Sequence, residues 1–236
     1  MNSYSFLSSG DKQDYNLTVF LNTKDAANLQ EYIAEIQSHE AEEDLRSLAL
    51  IRAKQGNYPE AIALFDRLIA LSPHNAIDYN NRGLVYFQSG DIHKAITDYN
   101  KALSLNSNLS SAYNNRANYY AACEMLSVAL ADYDIALDLN PRYVKAWINR
   151  AITLRDMEEY LEAIDNLETA LLFGDLEAEI IAQRGRTFHL WGDWNFAIAD
   201  YRRALFELSL PNSKTNNPCL QTQVESWLQD LVCYPN

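Results

Sequence analysis

The stretch AIDYNNRGLVYFQSGDIHKAITDYNKALSLNSNL, residues 76–109, decides the fold. Tyr79, Arg82, Gly83 and Tyr86 share one helical face, and after a break at Gly90 so do Ala95, Tyr99, Ala102 and Leu105. That pattern predicts two amphipathic helices that meet as an antiparallel hairpin. The flanking sequence repeats it: Ala61, Ala95, Ala129, Ala163 and Ala197 stand 34 residues apart. A fixed period of this length marks an array of stacked hairpins in which each unit buries its apolar face against its neighbours.

Set in register, the units are 42–75, 76–109, 110–143, 144–177 and 178–211. Small residues recur where backbones must approach: Ala49, Gly83, Ala117, Ala151 and Gly185 on the first helix, with the five alanines opposite. Gly56, Gly90 and Gly192 sit between the helices, where a left-handed residue ends the first. Glu124 and Glu158 stand there in the third and fourth units, which predicts a different turn geometry. Pro73 and Pro141 close their units.

The flanks read as caps. Residues 24–40 hold an amphipathic stripe, Leu29, Ile33 and Ile36, that suits an N-terminal capping helix. Leu220, Val224, Trp227, Leu228 and Leu231 form a second stripe within a C-terminal capping helix at 218–233, with Trp227 expected to be buried against the fifth unit. Residues 1–23 carry no helical period and read as an extended or mobile arm.

Composition narrows the function. Among 236 residues, 48% are hydrophobic and only seven are Gly, enough apolar content for a continuous core. A formal charge of -13 opposes binding to nucleic acid or anionic membranes, whose phosphates select clustered Lys and Arg. No run approaches the ~18 apolar residues of a membrane span, and the N-terminus lacks the basic and apolar blocks of a signal peptide. With Cys123, Cys219 and Cys233 forming no CxxC pair, the reading is a cytoplasmic protein with reduced thiols. GxGxxG, GxxxxGK[ST], HExxH and GxSxG are all missing, and His39, His74, His93 and His189 lie far apart. The chain reads as non-enzymatic, with no cofactor and no metal.

Over residues 42–211 the pattern resembles the tetratricopeptide repeat. Tyr79, Gly83, Tyr86, Gly90, Ala95, Tyr99 and Ala102 fill seven of that family's places in one unit. The resemblance implies an all-α fold, a right-handed solenoid of stacked antiparallel helix pairs. It also implies a concave groove, lined by the first helices, that binds a peptide segment of a partner protein. The function expected from it is that of an adaptor, scaffold or assembly factor.

The seventh place of the repeat, leucine in that family, is Arg82, Arg116, Arg150 and Arg184 here, and Leu48 in the first unit. The 23rd place switches with it: Asp98, Asp132, Asn166 and Asp200, but Leu64 in the first unit. Antiparallel packing brings the two places to one height. This covariation within one chain predicts structural ion pairs Arg82–Asp98, Arg116–Asp132 and Arg184–Asp200, and an Arg150–Asn166 hydrogen bond, rather than capture of an acidic ligand.

Carried onto this chain, the groove places of the family give Asn81, Asn115 and Asn149, with Asn80, Asn114, Asn118, Leu84, Phe87 and Ile152 beside them. Asparagines in such a row can hold a peptide backbone or bond the neighbouring unit's backbone, and both readings stand. Lys145, Arg155, Arg186 and His189 make the far half basic. That half suits a partner with an acidic segment or a C-terminal carboxylate, unless Asp156 and Glu179 simply neutralise it. The family's carboxylate clamp is matched only at Asn114 and Asn118. The alternative function is self-association through the terminal helix or the apolar segment at 15–21.

Overall fold

The computed structural model describes residues 41–210 and 217–233. The chain divides between residues 44 and 45, and only 41–44 of the first part are described. The N-terminal arm and the capping helix read at 24–40 lie outside the described residues.

Five helix pairs follow one another with the sequence period. They are α1 (41–54) with α2 (Tyr58–Leu71), α3 (Ala76–Gln88) with α4 (Ile92–Leu105), α5 (Ser110–Ala122) with α6 (Leu126–Leu139), α7 (Val144–Asp156) with α8 (Tyr160–Leu171), and α9 (Glu177–Trp191) with α10 (Trp194–Ser209). A last helix, α11 (Pro218–Cys233), follows. No strand occurs among the described residues. The fold is an all-α solenoid.

Its core is built on the small residues. Ala49, Ala61, Ala95, Ala117, Ala129, Ala163 and Ala197 are wholly enclosed, so paired helices touch nearly backbone to backbone. Gly83 shows how little room remains: a Cβ there would sit 2.8 Å from the Tyr99 ring, and at Gly185 2.9 Å from Tyr201. Those tyrosines, with Tyr133 and Phe65, are the large fully buried side chains that fill the space the small residues leave. From α3 onward each odd helix touches the next odd helix, whereas the even helices touch only odd ones or α11. The first helices are therefore the more tightly spaced set and form the concave side.

The turns within pairs depart from expectation. Glu124 and Glu158 are left-handed, with φ of 60° and 65°, as are Gly56, Gly90 and Gly192. The hydrogen bonds match as well: Asp91 N–H donates to Tyr86 O, Met125 to Tyr120 and Glu159 to Leu154, each at 2.9 Å. The requirement to fold each hairpin back at the same height overrides the residue's own preference, and the glutamates accept a strained backbone. Packing of α11 differs in emphasis: Leu220 and Val224 are buried against α9 and α10, while Trp227 is only half-buried, its ring 5.8 Å from that of Tyr201.

Relief of the left-handed strain should show directly. Glu124→Gly and Glu158→Gly should each raise stability by about 0.5–1 kcal/mol, the strain removed less the entropy of an added glycine. An upward shift of the urea midpoint at constant slope checks this; a lowered midpoint would refute it.

Candidate functional site

The seventh-place arginines sit between units. Arg82 presents Nε and Nη2 to the two carboxylate oxygens of Asp98, at 2.7 and 2.8 Å, and Nη1 to Asp66 of the preceding unit at 2.7 Å. Arg116 does the same with Asp132, at 2.7 and 2.9 Å, and with Asn100. Arg184 repeats it with Asp200 and, more loosely, Glu168. In the fourth unit the fork is turned: Nε of Arg150 goes back to Asp134, and Nη1 to Asn166 and Glu162. The inner carboxylates are nearly enclosed and the outer ones more than half exposed, 6% for Asp98 against 53% for Asp66. Hydrogen bonding to Asp98 outweighs burial and raises the pKa of Arg82 further above its ordinary value.

The second partner is what sequence reading missed, although its signal was present. The 25th place is Asp66, Asn100, Asp134 and Glu168, all acceptors, and becomes Arg202 in the fifth unit, where no seventh-place arginine follows. In the first unit, where Leu48 replaces arginine, Arg46 reaches forward to the buried Asp78 at 2.6 and 2.9 Å.

The asparagines form an unforeseen arrangement. Asn149 donates to Asn114 at 3.1 Å, Asn114 to Asn115 at 3.3 Å, and Asn115 to Asn80 at 3.0 Å. Asn80, Asn114 and Asn115 are buried. Two of these bonds reach the neighbouring unit's side chains, not its backbone, and the third joins two amides of one unit; Asn80, Asn114 and Asn115, expected to face a peptide, are enclosed instead. The physical reason is geometric: the fifth place of one unit and the sixth of the next are brought side by side by the close spacing of the odd helices. Asn118 is likewise engaged, accepting from Tyr133 Oη at 2.5 Å. Tyr201 Oη meets His189 at 3.2 Å, whereas Tyr99 keeps a buried hydroxyl with no hydrogen-bond partner among the described residues.

Asn81 escapes this chain, because the fifth place of the unit before it is Arg46. It is half-buried and lines a cleft of about 500 Å³ with Leu50, Ala53, Lys54, Tyr58, Leu84, Val85, Gln88 and Lys145. Lys145 comes from two units further on. The apolar near half and basic far half read from sequence are thus not separate: the coil of the array places this lysine over the near-half leucines. Neither Lys54 nor Lys145 pairs with a carboxylate among the described residues. Burial raises the pKa of Glu179, with Lys145 pulling it down in part. Phe87 and Ile152 are half-buried.

At the far end Arg155 donates from Nη1 to Gln183 at 2.8 Å. Arg186 lies over the Trp227 ring at 5.3 Å and contacts His189 at 3.2 Å. Burial and the Arg186 charge lower the pKa of His189, so its ring is neutral near pH 7. Among the described residues no helix is long and apolar enough to cross a membrane, and no cluster of metal-binding side chains occurs.

Comparison with known proteins agrees with this geometry. Residues 48–117 match the tetratricopeptide repeat family. Among solved structures, the chain superposes on TTC0263, a thermophilic repeat protein of Thermus thermophilus, with a TM-score of 0.69 at 20% identity, covering 79% of this chain and 98% of that one. PilW, a type IV pilus biogenesis factor, gives 0.66 at 18% identity, covering 83% and 96%. YrrB, a repeat protein with an unusual peptide-binding site, gives 0.53 at 16% identity, covering 77% and 90%. No curated protein sequence matches. The fold is that of a helical-repeat solenoid. The match to the repeat family covers 48–117, and the remainder of the described array shares the fold.

Three measurements test these pairings. Arg116→Ala and Asp132→Ala should each cost about 2–3 kcal/mol, since either strands a desolvated charge, whereas Asn100→Ala, at the exposed prong, should cost under about 1 kcal/mol. A double-mutant cycle on Arg116 and Asp132 should return strong coupling, and zero coupling would reject the pairing. Tyr133→Phe should cost about 1 kcal/mol, while Tyr99→Phe, which removes an unsatisfied hydroxyl, should be neutral or stabilising. Equal losses at the two sites would contradict the assignment.

Proposed function

We propose that the concave side binds a peptide segment of a protein partner, and that the cleft at Leu50, Leu84 and Lys145 anchors it. One observation carries the reading: an apolar floor on the groove side, flanked by two lysines that form no direct ion pair with a carboxylate among the described residues, although Glu179 interacts with Lys145 at longer range, in a chain of net charge -13. Apolar surface gives affinity, and isolated positive charge in an acidic protein selects among partners. A segment that combines an aliphatic or aromatic side chain with a nearby acidic group fits both features. Asn81 and Gln88 can bond its backbone.

The repeat class supports a protein-interaction role of this kind, with the adaptor or assembly function following from it. Catalysis would need converging reactive groups, and the cleft offers none: its ionisable side chains are two lysines and one tyrosine.

Affinity purification from the native host checks the reading. A Leu50→Glu, Leu84→Glu double variant should lose a partner that the wild type and a Phe206→Ser variant on the outer surface both retain. Equal recovery of every partner by all three proteins would overturn it.

A further inference from the structure

Exposed apolar side chains collect along the edge of the array where the two helices of each pair turn back. Met125 in the third unit, Met157 and Leu161 in the fourth, and Trp191, Trp194 and Phe196 in the fifth are all exposed, Leu161 to 66% and Phe196 to 59%. Because the units stack in order, these turns follow one another along one side of the solenoid. Phe188 steadies Phe196, the two rings stacking at 5.1 Å. Trp191 and Trp194 line a cleft of about 470 Å³ with Gly192, Asp193 and Asn195. Single exposed apolar residues are ordinary, whereas a run of large ones along one edge marks a surface that another molecule covers.

The charges on this edge are of one sign. Residues 123–128, 156–162 and 190–196 hold Glu124, Asp156, Glu158, Glu159, Glu162 and Asp193, and no Lys or Arg. In the first two units the carboxylate at the turn is answered locally, Glu60 by Arg52 at 3.1 Å and Asp91 by Lys94 at 2.6 Å. From the third unit on the pattern changes. Glu162 pairs with Arg150 and Asp156 approaches Arg155, but Glu124, Glu158, Glu159 and Asp193 make no side-chain hydrogen bond or ion pair among the described residues. Asp193 shares its cleft with the two tryptophans. Aromatic rings beside an unpaired carboxylate suit a lysine or arginine, whose stem packs on the rings while its head group meets the carboxylate.

Sign and chemistry together select the occupant. A second copy set edge to edge would bring like carboxylates together, in a chain of net charge -13, and the phosphates of an anionic membrane would be repelled in the same way. We infer that the turn edge of the third to fifth units is a second docking surface, for a basic amphipathic segment of a partner protein, with one lysine or arginine seated at Asp193 between Trp191 and Trp194. The segment's apolar side chains cover Met157, Leu161 and Phe196, and its other cations meet Glu124, Glu158 and Glu159. This surface uses the turns rather than the concave side, so it stands independently of the groove reading.

The test uses the full chain at an ionic strength of about 0.15 M, where weak surface attraction is screened. The probe is an acetylated and amidated peptide of the pattern LKKLLKLLKKLLKL; its controls carry serine for every leucine, or glutamate for every lysine. The indole Nε1–H resonances, assigned by single Trp→Phe variants, report the position of binding. The leucine–lysine peptide should shift Trp191 and Trp194 saturably and leave Trp147 and Trp227 in place, and each control should bind at least about tenfold more weakly. Glu124→Gly with Glu158→Gly removes two carboxylates at turns that favour glycine, so the fold is kept. That variant should bind the peptide several-fold more weakly with a melting temperature no lower than wild type, and Asp193→Asn should weaken binding further. The Leu50→Glu, Leu84→Glu variant should bind the peptide as wild type does, which separates this surface from the groove. Equal binding of the glutamate peptide, equal shifts at Trp147, or loss of binding in the groove variant alone would each overturn the assignment. So would shifts of Trp191 and Trp194 by vesicles of phosphatidylcholine with or without phosphatidylserine, or by raised protein concentration with dimers in sedimentation, since the edge would then serve a membrane or a second copy.

Discussion

The guanidinium fork at the seventh place of each unit, from the second to the fifth, is the interaction on which the array depends. One planar group reaches its own second helix and the second helix of the unit before, so a single side chain sets the height of a hairpin and the register between neighbours. Stacked apolar faces alone would permit sliding along the helix axes, because dispersion and burial are nearly indifferent to small shifts. The fork is not: bidentate pairing holds only within narrow limits of distance and plane. The enclosed pair contributes specificity more than net stability, since desolvation offsets most of its attraction, while the exposed prong is worth little by itself. The alanine and glycine seam makes the geometry reachable by bringing the paired helices close enough for an arginine to span three of them.

A second network follows from the same spacing. Because odd helices crowd together on the concave side, the amides of Asn149, Asn114, Asn115 and Asn80 fall within bonding distance across three units. A polar chain between packed helices must be satisfied internally, since each lost bond would leave a desolvated donor or acceptor. That requirement ties these side chains up between helices, except where the chain is interrupted. Asn81 marks one such break, because Arg46 in the preceding unit turns to Asp78 instead.

Periodicity made most of the fold legible. The five alanines place the helix pairs, and the joint switch of the seventh and 23rd places points to the arginine pairs from internal comparison alone. What was not legible follows from two kinds of physics. Glu124 and Glu158 look unlike glycine, yet tertiary closure imposes the left-handed turn on them. Place-by-place transfer of groove residues treats the concave side as a flat strip, whereas its curvature buries the fifth places and carries Lys145 across to Leu50 and Leu84. The 25th-place acceptors show a milder failure, since the pattern lay in the sequence but each acceptor serves the following unit rather than its own.

Division of the positive charges bears on how the proposed groove would select a partner. The chain has 19 Lys and Arg against 32 Asp and Glu, and its seventh-place arginines are consumed by internal acceptors. A guanidinium gripped on two sides contributes little field to the groove, because its counter-charges lie within a few ångströms. The cations left over for the proposed groove are therefore few: Lys54 and Lys145 at the cleft, Arg155 and Arg186 at the far end. Against a surrounding surface that repels acidic chains, such isolated points act through placement rather than through total charge, since screening over about 8–10 Å confines each to its own neighbourhood. On the proposed reading, a partner presents its acidic groups at matching positions along the groove, and a merely anionic chain gains nothing from the average field. Discrimination of the proposed kind needs both the acidic exterior and the internal neutralisation of the arginines, so the forks that set the register of the array would also keep the groove selective.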